Sequence, residues 1–130
     1  MSAGEGAGLP RVLLVEDNEA IRNAFSILLG ECGYQVLQAA SGAEALESAA
    51  TARPHLILLD LGLPDMSGLD VARALRAREE SRETPIIALT GRALETDQEA
   101  CMAAGCTGYL TKPIDTEQLL KVIAGFVGGE

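Results

Sequence analysis

Tryptophan is absent from this chain, and tyrosine and phenylalanine occur only twice each. A core without large rings must be built from Leu, Ala, Val and Ile, which suits a sheet packed between helices. Histidine occurs once, at His55, and cysteine three times, at Cys32, Cys101 and Cys106. An odd cysteine count without CxxC spacing argues against a structural zinc site or a disulfide framework, and predicts reduced, buried thiols. No apolar run nears the ~20 residues of a membrane span; runs such as Leu56–Leu59 are strand-sized, so no membrane insertion is expected. Basic residues are scarce too, ten against nineteen acidic, for a net charge of −9. A duplex-binding surface wants the opposite sign, so no direct nucleic-acid contact is expected. The opening residues Met1–Gly8 lack the basic start and apolar middle of a signal peptide and read as a disordered leader. A cytoplasmic protein is the expectation.

A length of 130 residues leaves room for one domain, expected over residues 9–128. Five β-rich runs alternate with helical segments: Val12–Val15, Gln35–Ala39, Leu56–Leu59, Ile86–Leu89 and Gly108–Leu110. Continuous apolar runs predict strands covered on both faces, as in parallel sheets. Ser41-Gly-Ala-Glu44 reads as a capping box opening a helix to about Ala50, and Thr96-Asp-Gln-Glu99 as another. Ser67 is placed to cap a helix through Leu75, with Leu69, Ala72 and Leu75 at helical spacing. Asp115 is placed to cap the last helix, with Leu119, Leu120, Ile123 and Phe126 expected on its buried side. In the first helix Ile21, Ala24, Phe25 and Leu28 form the expected core stripe, with Leu29 at its margin and Ile27 in water. Gly33 and Gly105 fall just past helix ends, where positive φ is commonly required. Met66 and Met102 read as core or loop packing, and His55 as a surface turn residue. Five βα units in series predict an α/β fold with right-handed crossovers and helices on both faces.

In such sheets ligands sit beyond the carboxyl ends of the strands. The first strand ends in Glu16-Asp17, the third in Asp60, the fourth in Thr90 and the fifth in Thr111-Lys112-Pro113. Three carboxylates brought together resist joint ionisation. A hard divalent cation removes that conflict, and an all-oxygen site is the Mg²⁺ pattern. A carboxylate on Mg²⁺ beside a lysine and a hydroxyl donor is equipped to attack phosphorus.

Val12-Leu-Leu-Val-Glu-Asp-Asn18, Leu58-Leu-Asp-Leu-Gly-Leu-Pro-Asp-Met-Ser-Gly68, Pro85-Ile-Ile-Ala-Leu-Thr90 and Gly108-Tyr-Leu-Thr-Lys-Pro113 resemble the signatures of response-regulator receiver domains, from about Arg11 to Val127. The resemblance implies a flavodoxin-like, three-layer sandwich with a five-stranded parallel sheet of order 2-1-3-4-5 and five helices. It implies that Asp60 takes a phosphoryl group from the phosphohistidine of a histidine kinase or phosphotransfer protein, with Mg²⁺ as cofactor. Asp17 and Asp60 would bind the ion through carboxylates, Gly62 through its carbonyl, and Glu16 through water. Thr90 and Lys112 would hold phosphoryl oxygens, aided by the backbone N–H groups of Leu61 and Gly91. Lys112-Pro113 resembles the family's cis peptide, and Tyr109 matches the aromatic switch position that follows Thr90. Gly62 and Arg92 stand where the family tunes loss of the phosphoryl group. The implied output is a switched surface for a downstream protein or a linked kinase or effector domain, and no enzyme activity beyond self-phosphorylation and slow autodephosphorylation. The stretch Ala103–Asp115 resembles stand-alone and hybrid-kinase receivers, and both arrangements are open.

Each assignment has a plainer reading. Acidic pairs at strand-to-helix junctions often only complement a helix N-terminus, Lys112 alone reads as a solvated lysine, Thr90 as a turn residue and Tyr109 as a half-buried edge-strand aromatic. Their convergence on one sheet edge favours chemistry. An aspartate-nucleophile phosphohydrolase of the haloacid dehalogenase type wants a second Asp where Gly62 stands. A flavodoxin-like carrier wants a Ser/Thr-rich loop where Glu16-Asp17-Asn18 would repel phosphate. A nucleotide site wants a Gly-Lys-Ser/Thr loop that this chain lacks. A receiver-like scaffold that never carries phosphate would be free to lose the acceptor, acid pair, Thr and Lys, and all are present.

Overall fold

The computed structural model describes residues 9–91 and 95–127, with residues 95–97 described by their backbone alone. The expected leader and Arg92 lie outside the described residues. The elements run β1 Arg11–Val15, α1 Glu19–Glu31, β2 Gln35–Ala39, α2 Gly42–Ala52, β3 Leu56–Asp60, α3 Gly68–Ala77, a short 3₁₀ turn Glu79–Ser81, β4 Ile86–Thr90, α4 Glu95–Ala103, β5 Gly108–Thr111 and α5 Thr116–Val127. The strands form one parallel sheet in the order β2-β1-β3-β4-β5, as expected. Strand alternation divides the core into two layers. Leu13, Val15, Ile57, Leu59, Ile86 and Ala88 face α2, α3 and α4. Val12, Leu14, Leu56, Leu58, Ile87 and Leu89 face α1 and α5. The apolar runs are continuous because β1, β3 and β4 are buried on both sides.

Helix boundaries follow from side-chain caps, each of a kind worth about 1 kcal/mol. Ser41 Oγ accepts from the Glu44 N–H, and the Glu44 carboxylate accepts in return from the Ala40 N–H at 2.8 Å. Ser67 and Asp115 cap α3 and α5 as expected. The Thr96 box does not open α4, which starts a residue earlier at Glu95. Gly33 and Gly105 have φ of +97° and +106°. Each sits in the same closing turn: Tyr34 N–H returns to the Leu29 carbonyl, and Cys106 N–H to that of Cys101. In each turn both residues of the pair are buried in the core.

Four packing expectations are corrected. In α1 the fully buried residue is Leu29, with Phe25 packed beside it, while Ile21 is 39% exposed and Ala24 is exposed. The stripe is turned about the helix axis because Leu29, not Leu28, closes onto Tyr34. In α5 Phe126 is 45% exposed, and Val122 and Val127 take the core contacts instead. Cys32 is exposed as the C-cap of α1, whereas Cys101 and Cys106 are buried as expected. Burial pushes the Cys106 thiol up to about 11, which keeps it protonated. Met102 lies exposed on α4, while Met66 packs over Gly42. His55 stays exposed at the start of β3, where its Nδ1 accepts from the Arg11 N–H at 2.9 Å.

Gly68 opens α3 beneath the end of β3. A Cβ there would stand 2.6 Å from Leu61 Cα and 2.7 Å from the Asp60 carbonyl oxygen, both backbone atoms that cannot swing aside. Gly68→Ala is expected to lower the free energy of unfolding by about 1–3 kcal/mol, read as a lower urea midpoint. An unchanged midpoint would mean that α3 can shift without loss.

Candidate functional site

The strands end level, so their terminal residues meet. Glu16 continues β1 by donating its N–H to the Ala39 carbonyl at 3.0 Å, and Lys112 continues β5 by donating to the Thr90 carbonyl at 2.7 Å. Asp60 and Thr90 are the last residues of two central strands. Glu16, Asp17, Asp60, Thr90 and Lys112 line one cleft of about 690 Å³, together with Gly62 and Gly91. Tyr109 lies one layer below, half-buried on the edge strand β5 and packed against the core.

Carboxylate oxygens of Glu16, Asp17 and Asp60 all fall within 4.8 Å of one another. Glu16 and Asp60 are 2% and 5% exposed, while Asp17 opens to water. Like charges about 4 Å apart repel by about 4 kcal/mol at an effective dielectric constant of about 20. Lys112 Nζ answers part of this, 3.1 Å from Asp60 Oδ1 and 3.6 Å from Glu16 Oε1. One ammonium cancels one of three charges. Burial is the main reason the Glu16 carboxyl stands above its ordinary value; the Asn18 N–H on Oε2 lowers it, and Asp60 raises it again. Burial also works against the Lys112 ammonium, but the hydrogen bond and charge of Asp60, with Glu16 behind it, outweigh this and raise its pKa. Three clustered oxygens of hard carboxylate type, short of positive charge, are a donor set that suits a small divalent cation.

The family model for the response regulator receiver domain matches residues 12–124. The chain is a response-regulator receiver domain. It is 39% identical over 117 residues to the polar-differentiation response regulator DivK of Brucella ovis, covering 90% of this chain and 95% of that one. Among solved structures it is similar to the chemotaxis protein CheY4 of Vibrio cholerae, with a TM-score of 0.88 and 36% identity over 92% of this chain and all of that one. It is also similar to the receiver domain of a sensor histidine kinase of Pseudomonas aeruginosa, solved with a magnesium ion coordinated in its active-site cleft. That match has a TM-score of 0.86 and 38% identity over 93% of this chain and 99% of that one. Receiver domains are the phosphoacceptors of two-component signalling and bind Mg²⁺ at an acidic site. Among the described residues no helix is long and apolar enough to cross a membrane.

The cleft gathers Glu16, Asp17, Asp60, Gly62, Thr90, Gly91 and Lys112 as the motifs imply, and the Lys112–Pro113 peptide is cis. Leu61 needs correction. Its N–H donates to the Leu89 carbonyl at 3.2 Å, because the β3–β4 ladder runs one residue past the strand. The N–H turned toward the Asp60 carboxylate is that of Gly62, 3.2 Å from Oδ1. Three supporting residues escaped the sequence reading. Asn18 caps α1 through the Ile21 N–H, a signal present in its place before the helix. Asp65 accepts from the Gly42 and Ala43 N–H groups at 2.8 and 3.0 Å, which ties the loop after β3 to the start of α2 and lowers the Asp65 pKa. Gly68 makes its close approach under Asp60. The last two depend on contacts across the fold, which no local pattern announces.

The Glu16 shift fixes the sign of a pH effect. Its folded value is raised above 4.5, so its favourable contribution is full below the unfolded value and lost as pH rises through the folded one. In chelator-treated buffer Glu16→Gln is expected to melt at a higher temperature than wild type near pH ~7.5, with the gap closing toward pH ~4.5. Parallel melting curves across that window would show that Glu16 is not strained by its surroundings.

Proposed function

We propose that Asp60 accepts a phosphoryl group from the phosphohistidine of a histidine kinase or histidine phosphotransfer protein in a Mg²⁺-dependent reaction. The domain, residues 9–128 in this reading, thereby switches a protein-interaction surface. The observation that carries it is the Lys112 ammonium 3.1 Å from Asp60 Oδ1, in a cleft where Glu16 and Asp17 each bring a carboxylate oxygen within 4.8 Å of an Asp60 oxygen. Asp17 and Asp60 would hold the ion through carboxylates, Gly62 through its backbone carbonyl and Glu16 through water. Mg²⁺, when bound, offsets the repulsion between these carboxylates and the incoming phosphoryl oxygens.

A carboxylate oxygen of Asp60 attacks phosphorus in line with the donor imidazole. The P–N bond breaks, the bonding pair stays on the imidazole nitrogen, and an acyl phosphate remains on Asp60. The Lys112 ammonium exchanges its hold on Asp60 for a phosphoryl oxygen, the Thr90 hydroxyl donates to a second, and the Gly62 and Gly91 N–H groups face the rest. Tyr109 then follows Thr90 inward and alters the surface offered to a downstream protein or a linked kinase or effector domain. The domain acts only on itself, in the cytoplasm, and loses the group slowly to water. With Gly62 where a phosphohydrolase would carry its general acid, turnover of free phosphate esters is not supported.

Acetyl phosphate with Mg²⁺ is expected to add one phosphoryl group to the wild type and none to Asp60→Asn, as read by intact mass. Undiminished labelling of the variant would place the acceptor elsewhere.

The donor is proposed to dock beside α1. Ile27 is 63% exposed there and lines a shallow groove of about 440 Å³ with Asn23, Gly30 and Val36. An apolar centre with a polar rim is the ordinary anatomy of a docking patch. Ile27→Ser is expected to slow phosphotransfer from the protein donor at least several-fold while leaving labelling by acetyl phosphate near the wild-type rate. Equal losses with both donors would make Ile27 a fold residue, and equal retention would remove it from the interface.

A further inference from the structure

Arg22 lies in α1 and reaches across the top of two strands. Its Nη1 donates to the Glu16 carbonyl oxygen at 2.8 Å and its Nε to Gln38 Oε1 at 3.0 Å. Glu16 ends β1, and Gln38 sits near the end of β2, its partner in the sheet. A guanidinium beside three carboxylates has every Coulombic reason to pair with one of them. Here both donors go to neutral acceptors, one of them the main chain.

The carbonyl that Arg22 holds belongs to the peptide joining Glu16 to Asp17. A planar peptide has no freedom about its C–N bond, so gripping its oxygen sets the direction in which Asp17 leaves the strand. The same junction is held from below by the Glu16 N–H on Ala39 and from the side by the Asn18 N–H on Glu16 Oε2. Between these holds Glu16 turns inward and Asp17 turns out into the cleft.

We infer that Arg22 is a positioning residue: by strapping the Glu16 carbonyl to Gln38 it fixes the Glu16–Asp17 peptide and aims the Asp17 carboxylate at the Mg²⁺ position. This rests on the Mg²⁺ site proposed above. Two effects of Arg22 oppose one another. Its charge repels a cation, so removing it tightens Mg²⁺ binding by through-space electrostatics. Its geometry holds a ligand ready, so removing it weakens binding. Gln38 is neutral and exposed, touches none of the three carboxylates in its hydrogen bonding, and reports geometry alone.

The test is Mg²⁺ affinity by titration calorimetry on the whole chain, for wild type, Arg22→Met, Gln38→Met and the double variant. Methionine keeps an apolar stem where the arginine stem lay. Arg22→Met is expected to raise the Mg²⁺ Kd roughly ten-fold, within the range for losing a residue that orients a metal ligand. Gln38→Met is expected to raise it by a smaller factor, with its metal-free melting temperature near that of wild type. The double variant is expected to bind no worse than Arg22→Met, because both residues act through one strap. Tighter binding by Arg22→Met, unchanged binding by Gln38→Met, or additive losses would each overturn the inference. Asp17→Asn separates it from the reading beneath: undiminished Mg²⁺ binding by that variant sinks the site itself, whereas binding lost there but kept in Gln38→Met sinks only the strap.

Discussion

Crowding of like charge at the end of β3 is the constraint on which the rest of this molecule turns. Asp60 stands on the central strand, with Glu16 and Asp17 arriving from β1 on one side and Lys112 reaching over from β5 on the other. The arrangement is unfavourable in itself, and it persists because the strands beneath have no freedom to relax it. Each of β1, β3 and β4 is locked between two aliphatic layers whose large side chains, such as Leu13, Leu14, Ile57, Leu58, Ile86 and Ile123, are essentially fully buried. Each such Leu or Ile contributes about 1.5–3 kcal/mol, well above what the acidic edge gives back. The sheet therefore stores an unmet demand for positive charge at a fixed place, and a ligand that meets it needs little reorganisation of the protein.

Much of this was legible in the sequence for a physical reason. Strands buried on both faces cannot tolerate polar residues, so the first polar residue after an apolar run marks both the strand's end and the functional edge. Glu16, Asp60 and Thr90 were found that way, Lys112 from its place at the end of the edge strand before Pro113, and the same logic gave the sheet its parallel class. Strand order came from the resemblance alone, since periodicity is silent about which strands are neighbours.

What stayed hidden depends on half-turns and on long-range contacts. In α1 the apolar residues are too many to define one face, and the fold selects Leu29 because Tyr34 folds back over it. In α5 the pattern offered Phe126, but a helix near its end lies at the rim of the sheet, where Val122 and Val127 cover the core better than a ring one step away. The Leu61 N–H goes to the Leu89 carbonyl rather than the cleft because the ladder persists one residue beyond the strand, and a single residue of register reverses where an N–H points. Asp65 and Gly68 read as loop and helix residues until the loop after β3 is seen closing on α2 and on Asp60 itself.

Gly62 has a further consequence. A Cβ added there meets nothing within 4 Å, although the residue stands at the mouth of the cleft with its N–H on Asp60. Most positions beside a reactive group are packed, so that altering access also alters stability, and evolution must move both together. Here a Cβ adds no such packing, while the N–H and carbonyl of the residue stay the same whatever its side chain. Access to the cleft can thus be altered at this one position without a packing clash beneath it.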